Sequence, residues 1–291
     1  MFAVSGATGQ VGGAVAEALL DAGLPVRAIV RSAAKGRWWQ ALGCEIALVP
    51  DVTDVAAQVR AFSGAQAVFV INPPNYDPEP DFPDTHAAAS ASAQALDAVR
   101  PQRTVLLSSI GAQVQRFNLL NNAGIFEATF GELDLPVTML RPAWFMENAA
   151  ADLDMARGGS IDSCLQPLDH AIDMVSVLDI GRTAAELLQD LTTACRVVEL
   201  AGPGRYSAND VATGFAKAFD RPVTTKAIPR SNWESLFRSQ GMQHPAARIA
   251  MLDGFNADWI GFECGAIEHR VGTTSLDDVL LAIANRAVRS G

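Results

Sequence analysis

Short apolar runs alternate along the first half of the chain with longer stretches whose apolar positions recur every three or four residues. Phe2 to Ser5, Val26 to Val30, Glu45 to Val49, Ala67 to Ile71, Thr104 to Leu107 and Val137 to Leu140 read as strands. Ala67 to Ile71 is apolar throughout, as a parallel strand buried on both faces must be. Between the strands, apolar positions at helical spacing predict helices from Val11 to Ala22 and over 33–42, 55–62, 85–99 and 118–132, the first two stopped at Gly23 and Gly43. Strand and helix in strict alternation predict an α/β fold, a doubly wound parallel sheet of the Rossmann type.

Past residue 150 the alternation loosens. Residues 158–174 read as irregular. Leu178 to Asp190 is a helix opened by Asp179, and Val197 to Leu200 is a seventh strand that rejoins the sheet. Ser207-Ala208-Asn209-Asp210 resembles a capping box before a helix over 208–219. Val223 to Ile228 is a short strand. Helices near 231–240 and 245–260 form a cap beside the strand ends, and Asp277 to Arg289 is the last helix. This divides the chain into a Rossmann domain over 1–150 and a smaller α+β C-terminal cap over 151–291 that holds substrate or partner. No internal repeat interrupts it.

The first strand runs into Gly6-Ala7-Thr8-Gly9-Gln10-Val11-Gly12-Gly13. Glycines there let backbone N–H groups approach a phosphate with no Cβ in the way, and the following helix adds its positive end. A pyrophosphate is expected at Gly6, Thr8, Gly9, Gln10 and Val11. A bare strand-to-helix turn would use the same glycines. The second strand, however, ends at Arg31, twenty-five residues after Gly6, where such a fold presents a side chain to the adenosine ribose. An acid there suits NAD; Arg31, with Lys35 and Arg37 nearby, suits the 2′-phosphate of NADP. Asp51 and Val52 close the third strand, where a carboxylate can accept from the adenine amino group or cap a helix. Asn72-Pro73-Pro74 closes the fourth and opens a proline-rich loop carrying Tyr76, either a lid or a plain connector. Ser108 and Ser109 close the fifth, within reach of a nicotinamide ribose or a substrate carbonyl, or simply capping the strand.

Composition narrows the function classes. Hydrophobic residues make up 49% of the 291, enough for a sizeable core, and the net charge of −10 argues against direct nucleic-acid or anionic-membrane binding. No apolar run approaches a membrane span, and a strand beginning at residue 2 leaves no leader, so a cytoplasmic protein is expected. Cys44, Cys164, Cys195 and Cys264 are far apart and predict neither disulfide nor metal site; the four histidines are equally dispersed. There is no G-x-S-x-G and no H-E-x-x-H.

Several separated motifs together resemble the NmrA-like family of atypical short-chain dehydrogenase/reductases. They are Ser5-Gly6-Ala7-Thr8-Gly9-Gln10-Val11-Gly12, Val26 to Arg31, and Leu140-Arg141-Pro142 followed by Trp144-Phe145-Met146-Glu147-Asn148. Val175 to Ile180, Leu200 to Pro203 and Ser207 to Pro229 extend the likeness over nearly the whole chain. The resemblance implies an NAD(P)H cofactor, and Arg31 favours NADPH over NAD. It places contacts at Gly6, Thr8, Gly9, Gln10, Val11, Arg31, Asp51, Val52, Asn72, Pro73, Pro74, Ser108, Ser109 and just after Pro142. Tyr76, Asn122, Trp144 and Phe145 are the expected substrate pocket, with Met146, Trp233 and Phe237 as further walls or core.

The departures bear on chemistry. Ordinary short-chain dehydrogenases use a tyrosine acid and a lysine four residues on; here Pro80 follows Tyr76 at that spacing and Asp210 follows Tyr206. Reductases of the family often carry a histidine or lysine four residues before a helix glutamate; if Glu127 is that glutamate, Ala123 stands there. Two functions remain. One is hydride transfer from NADPH to a quinone-like or other conjugated acceptor, whose stabilised oxyanion takes its proton from solvent. The other is a non-catalytic NADP(H) sensor acting on a regulated protein partner. The oligomeric state stays open, a homodimer included.

Overall fold

Each apolar run of the first half forms a strand of one parallel sheet: β1 (Phe2–Val4), β2 (Val26–Val30), β3 (Glu45–Leu48), β4 (Ala67–Ile71), β5 (Arg103–Leu107) and β6 (Val137–Pro142). Helices α1 (Gln10–Asp21), α2 (Ala33–Ala41), α3 (Val55–Phe62), α4 (Pro83–Val99) and α5 (Asn121–Gly131) join them. The computed structural model describes residues 1–191, 194–263, 265 and 267–288; Cys264 and Arg289 of the sequence reading lie outside these.

The chain continues through β7 (Trp144–Phe145), a 3-10 turn over Met146–Asp152, α6 (Leu153–Arg157), β8 (Ser160–Ser163), β9 (Ile172–Val175), α7 (Val177–Gln189), β10 (Arg196–Ala201) and β11 (Arg205–Tyr206). It ends with α8 (Ala208–Phe219), β12 (Thr224–Ala227), α9 (Trp233–Ser239), α10 (Ala246–Asn256), β13 (Glu268–Val271) and α11 (Leu276–Val288). The main sheet has eight strands among the described residues, in the order β13-β10-β6-β5-β4-β1-β2-β3, all pairs parallel. Strand order reverses between β1 and β4, and ligands of open α/β sheets sit at the carboxyl ends beside such a reversal.

The two-residue pleat sorts the core. Val4, Leu107 and Leu140 pack with Leu19 of α1, Trp39 of α2 and Ile180 of α7. Ala3, Leu106 and Met139 face the other way, onto Phe62 of α3, Leu96 of α4 and Phe126 of α5. Helices therefore cover both faces, as expected for a doubly wound sheet. The seventh strand rejoins it as β10, beside β6.

Differences concentrate in the second half. Residues 158–174 are not wholly irregular: they contain β8, paired with β12, and β9, paired with β7 and β11. Such four-residue strands owe their pairing to distant partners, which no local pattern announces. β13 was not anticipated either; Glu-His-Arg-Val is polar and partly exposed, as an edge strand can be. The helix expected over 245–260 ends at Asn256. The capping box forms as expected, Ser207 Oγ accepting from the Asp210 N–H at 3.2 Å while the Asp210 carboxylate accepts from the Ser207 N–H at 2.8 Å. Phe82, Met146, Ile161, Phe215, Trp233, Phe255 and Leu280 share a separate core beneath the small sheets. No described helix is long and apolar enough to cross a membrane.

Candidate functional site

The turn between β1 and α1 stands at the reversal point of the sheet. Gly6 has φ +64°, and a Cβ there would meet Ile71 Cγ2 at 2.7 Å. A Cβ on Gly12 would lie 2.3 Å from the Gly6 carbonyl oxygen, so the first turn of α1 packs directly on the loop. The Gly9 N–H donates to Gly6 O at 2.8 Å and closes the turn. The helix N-cap, Gly9, makes no side-chain cap bond. The first N–H groups of a helix have no partner within it, so those of Gln10, Val11 and Gly12 are open to a ligand. Thr8, Gly9 and Gln10 are exposed, whereas the Val11 side chain is buried and contributes only its backbone.

Arg31 follows β2, with Lys35 and Arg37 in the first turns of α2. All three are exposed, and none has a carboxylate partner among the described residues. Past β3, Asp51 Oδ1 accepts from the Thr53 N–H and hydroxyl, both at 2.8 Å. These bonds hold its carboxyl below the usual range. The cap of α3 is Asp54, which accepts from the Ala57 N–H at 2.9 Å, so Asp51 is not a helix cap. Val52 is half-buried, its carbonyl accepting from Gln58.

Asn72 is half-buried at the end of β4, and Pro73 and Pro74 are exposed. The loop beyond is fastened to the cap. The Asp77 carboxylate accepts from the N–H groups of Gln243 and His244, both at 2.6 Å, between α9 and α10. Partial burial would raise its pKa, but these two bonds hold it low. Phe82 enters the cap core beside Phe117, ring centres 6.0 Å apart. A cleft of about 510 Å³ lies between the proline loop, Phe117 and helices α9 and α10. Tyr76 points to solvent, 62% exposed. Asn122 is buried, its carbonyl accepting from the Thr85 hydroxyl at 2.6 Å. Trp144 turns to the cap and meets Phe255 edge-on at 5.2 Å, while Phe145 packs toward the sheet core. Trp233 and Phe237 are buried in the cap core.

A row of polar side chains crosses the carboxyl end of the sheet on the α5 face. Leu107 pairs with Leu140, which brings Ser108 beside Arg141; Arg141 pairs with Glu199, and Glu199 with His269. Glu127 of α5 takes two bonds from Arg141, from Nε at 2.8 Å and Nη2 at 2.6 Å, and one from the Ser108 hydroxyl. Arg141 Nη1 reaches Glu263 at 2.6 Å and Glu199 at 3.7 Å. Glu199, fully buried, accepts from the Glu263 N–H at 2.8 Å and lies 3.2 Å from His269 Nδ1. Burial pushes its carboxyl above the ordinary value, against the pull of that N–H, His269 and Arg141. Burial alone would lower the Arg141 pKa, yet Glu127 and Glu263 raise it overall, so the guanidinium stays charged. Ser108 and Glu127 were singled out from sequence, but Glu199, Glu263 and His269 were not. The available signal was a charged residue set against apolar neighbours, Arg141 after Met139-Leu140 and Glu199 between Val198 and Leu200.

The model of the NmrA-like family matches residues 1–271. The chain belongs to the NmrA-like family. It is 26% identical over 254 residues to an NAD(P)H azoreductase of Xenophilus azovorans, covering 85% of this chain and 84% of that protein. It is 25% identical over 247 residues to quinone oxidoreductase 2 of Escherichia coli, covering 83% and 82%. Among solved structures, the Citrobacter sp. triphenylmethane reductase complexed with NADP(H) superposes with a TM-score of 0.78 at 19% identity, over 98% of this chain and all of that one (100%).

This NmrA-like chain carries a further carboxyl beside the segment that follows β6. Asp152 closes the 3-10 turn after Trp144–Phe145, half-buried and without a hydrogen-bond partner among the described residues. Burial pushes its pKa up to about 6. The nearby Cys164 thiol is pushed up to about 11, by burial first, with Arg248 opposing and Asp152 adding. A carboxyl whose pKa is raised on folding stabilises the fold below its unfolded pKa, and that contribution is lost as pH rises through about 6. Asp152→Asn should therefore stabilise the protein by about 2 kcal/mol at pH 8, after discounting for solvent, and change little at pH 4. Thermal unfolding at both pH values tests this; the same shift at each would refute it.

Proposed function

We propose that the protein binds NADPH along the carboxyl edge of its sheet and passes hydride to a conjugated small-molecule acceptor, quinone-like or azo. The carrying observation is the cradle at Gly6 and Gly12, which a Cβ would fill, together with three cations at the end of β2 that no carboxylate among the described residues neutralises. In this reading Gly6, Thr8, Gly9, Gln10 and Val11 hold the pyrophosphate, and Arg31 takes the 2′-phosphate with Lys35 and Arg37 in support. Asp51 and Val52 border the adenine. Asn72, Pro73, Pro74, Ser108, Ser109 and Pro142 border the nicotinamide riboside. NADPH when bound supplies the hydride; the protein supplies position and a partly dry site. The azoreductase and quinone-reductase relatives support this reading.

The acceptor rests against Trp144. Tyr76 stands at the solvent side, and Asn122 has its carbonyl already engaged. Helix α5 reads Asn-Asn-Ala-Gly-Ile-Phe-Glu-Ala-Thr-Phe-Gly, with neither tyrosine nor lysine, so no side chain on it serves as the usual acid. That suits an acceptor whose reduced form is a stabilised oxyanion. It is also the observation that favours the second reading, an NADP(H) sensor without chemistry.

Calorimetric titration with NADPH and NADH, then stopped-flow oxidation of the bound NADPH by a simple benzoquinone, separates the readings. Tight binding with fast oxidation is the expected result, whereas tight binding without oxidation would leave the sensor. Arg31→Asp should cost about 2 kcal/mol or more of NADPH affinity and little for NADH, because it removes a charge-assisted phosphate contact and adds repulsion. Equal losses for the two nucleotides would remove the 2′-phosphate assignment.

A further inference from the structure

The hydrogen-bond inventory around Ser108 fixes the direction of its proton. A guanidinium has donors only, and Arg141 directs Nε at Glu127 Oε1 and Nη2 at Glu127 Oε2. Each carboxylate oxygen thus already receives an N–H, and a proton on either would face that donor. Glu127 can only accept from Ser108, so the single hydroxyl proton of Ser108 is given to Glu127. What Ser108 keeps is lone pairs. On the other side, Arg141 Nη1 donates to Glu263 at 2.6 Å and lies 3.7 Å from the Glu199 carboxylate as an ion pair, which anchors the guanidinium against Glu127. Ser108, Glu127, Arg141 and Glu199 are all buried, which makes each of these bonds costly to break.

We propose that Glu127 and Arg141 are positioning residues that commit the Ser108 proton, leaving the Ser108 oxygen as an acceptor for an N–H or O–H of the nicotinamide riboside. This rests on the NADPH-binding reading above and deepens it. The groups able to donate are the carboxamide amine and the ribose hydroxyls. Ser108 in this state has no proton to give an acceptor substrate, in keeping with a reaction whose proton comes from water.

The test is a calorimetric cycle with Ser108→Ala, Ser108→Thr, Glu127→Gln and the double variant Ser108→Ala/Glu127→Gln. It is titrated with NADPH and with adenosine 2′,5′-bisphosphate, which lacks the nicotinamide riboside. Ser108→Ala should weaken NADPH about tenfold, one hydrogen bond's worth, and leave the bisphosphate unchanged. Ser108→Thr, which keeps a hydroxyl, should stay within about twofold of the parent. Glu127→Gln sets its NH2 against an Arg141 donor whichever way it lies, so the pair loosens and the Ser108 proton is no longer held. It should weaken NADPH comparably, yet add nothing once Ser108 is alanine. Unchanged NADPH affinity in Ser108→Ala, or additive losses in the double variant, would overturn the proposal. Equal losses for both ligands would also overturn it, as a general structural defect. If the parent protein binds neither ligand, the cofactor reading itself fails and this inference with it.

Discussion

Gly12→Ala should give a protein that has lost NADPH binding by about 100-fold or more, with its far-ultraviolet spectrum near that of the parent. The new Cβ would stand 2.3 Å from the Gly6 carbonyl oxygen, 2.5 Å from the Gly6 carbonyl carbon and 2.7 Å from the Ser5 carbonyl oxygen. These are backbone atoms, so no side-chain rotation relieves the clash. Gly6 cannot yield toward the sheet either, because Ile71 occupies that side. The loop must therefore separate from α1, and the N–H groups of Gln10, Val11 and Gly12 lose their common focus with the turn. Overpacking of this kind costs about 1–3 kcal/mol of stability, which a chain with this much core can survive. Gly23→Ala is the control. Gly23 has φ +72° with nothing within 4 Å of a Cβ, so it should lose about 1 kcal/mol of stability and no affinity. A Gly12→Ala protein that binds NADPH like the parent would show that the phosphate lies elsewhere.

Arg141→Met should destabilise the protein by about 3–5 kcal/mol at pH 8, since removing one partner of a buried pair leaves uncompensated charge. The loss is large because three carboxylates, Glu127, Glu199 and Glu263, converge on this one guanidinium. It should shrink on acidification. Burial already pushes the Glu199 carboxyl up, and without Arg141 it rises further, so acidification protonates it and relieves the site. At pH 8 the expected fall in Tm is roughly 10 °C. A loss under about 1 kcal/mol at pH 8, or one that does not change between pH 8 and pH 5, would mean that the row is solvated and not a buried network.

The features legible from sequence share a physical property: each is satisfied by neighbours in the chain. β1, β4 and the helices after them were visible because burial on both faces demands apolar residues in consecutive positions. Gly6 and Gly12 were visible because a strand-to-helix turn constrains the backbone within a few residues. Asp51 and Arg31 were visible as strand ends, a place fixed by counting along the alternation. Ser207 and Asp210 announced their cap for the same reason.

What the sequence by itself determined, then, is the doubly wound sheet, its glycine cradle and the cations at the end of β2. Tertiary structure decided the rest. β8, β9 and β13 exist because distant strands pair with them, and their own residues are too few, and in β8 and β13 too polar, to declare it. The fastening of the proline loop through Asp77, the turn of Tyr76 into solvent and the engagement of Asn122 by Thr85 depend on what folding brings alongside. The row from Ser108 through Arg141 and Glu199 to His269 joins four strands scattered over 162 residues of sequence. Its donors and acceptors are assigned only by their neighbours across the sheet, because hydrogen-bond direction in a buried network is set by the partners present and not by any one residue.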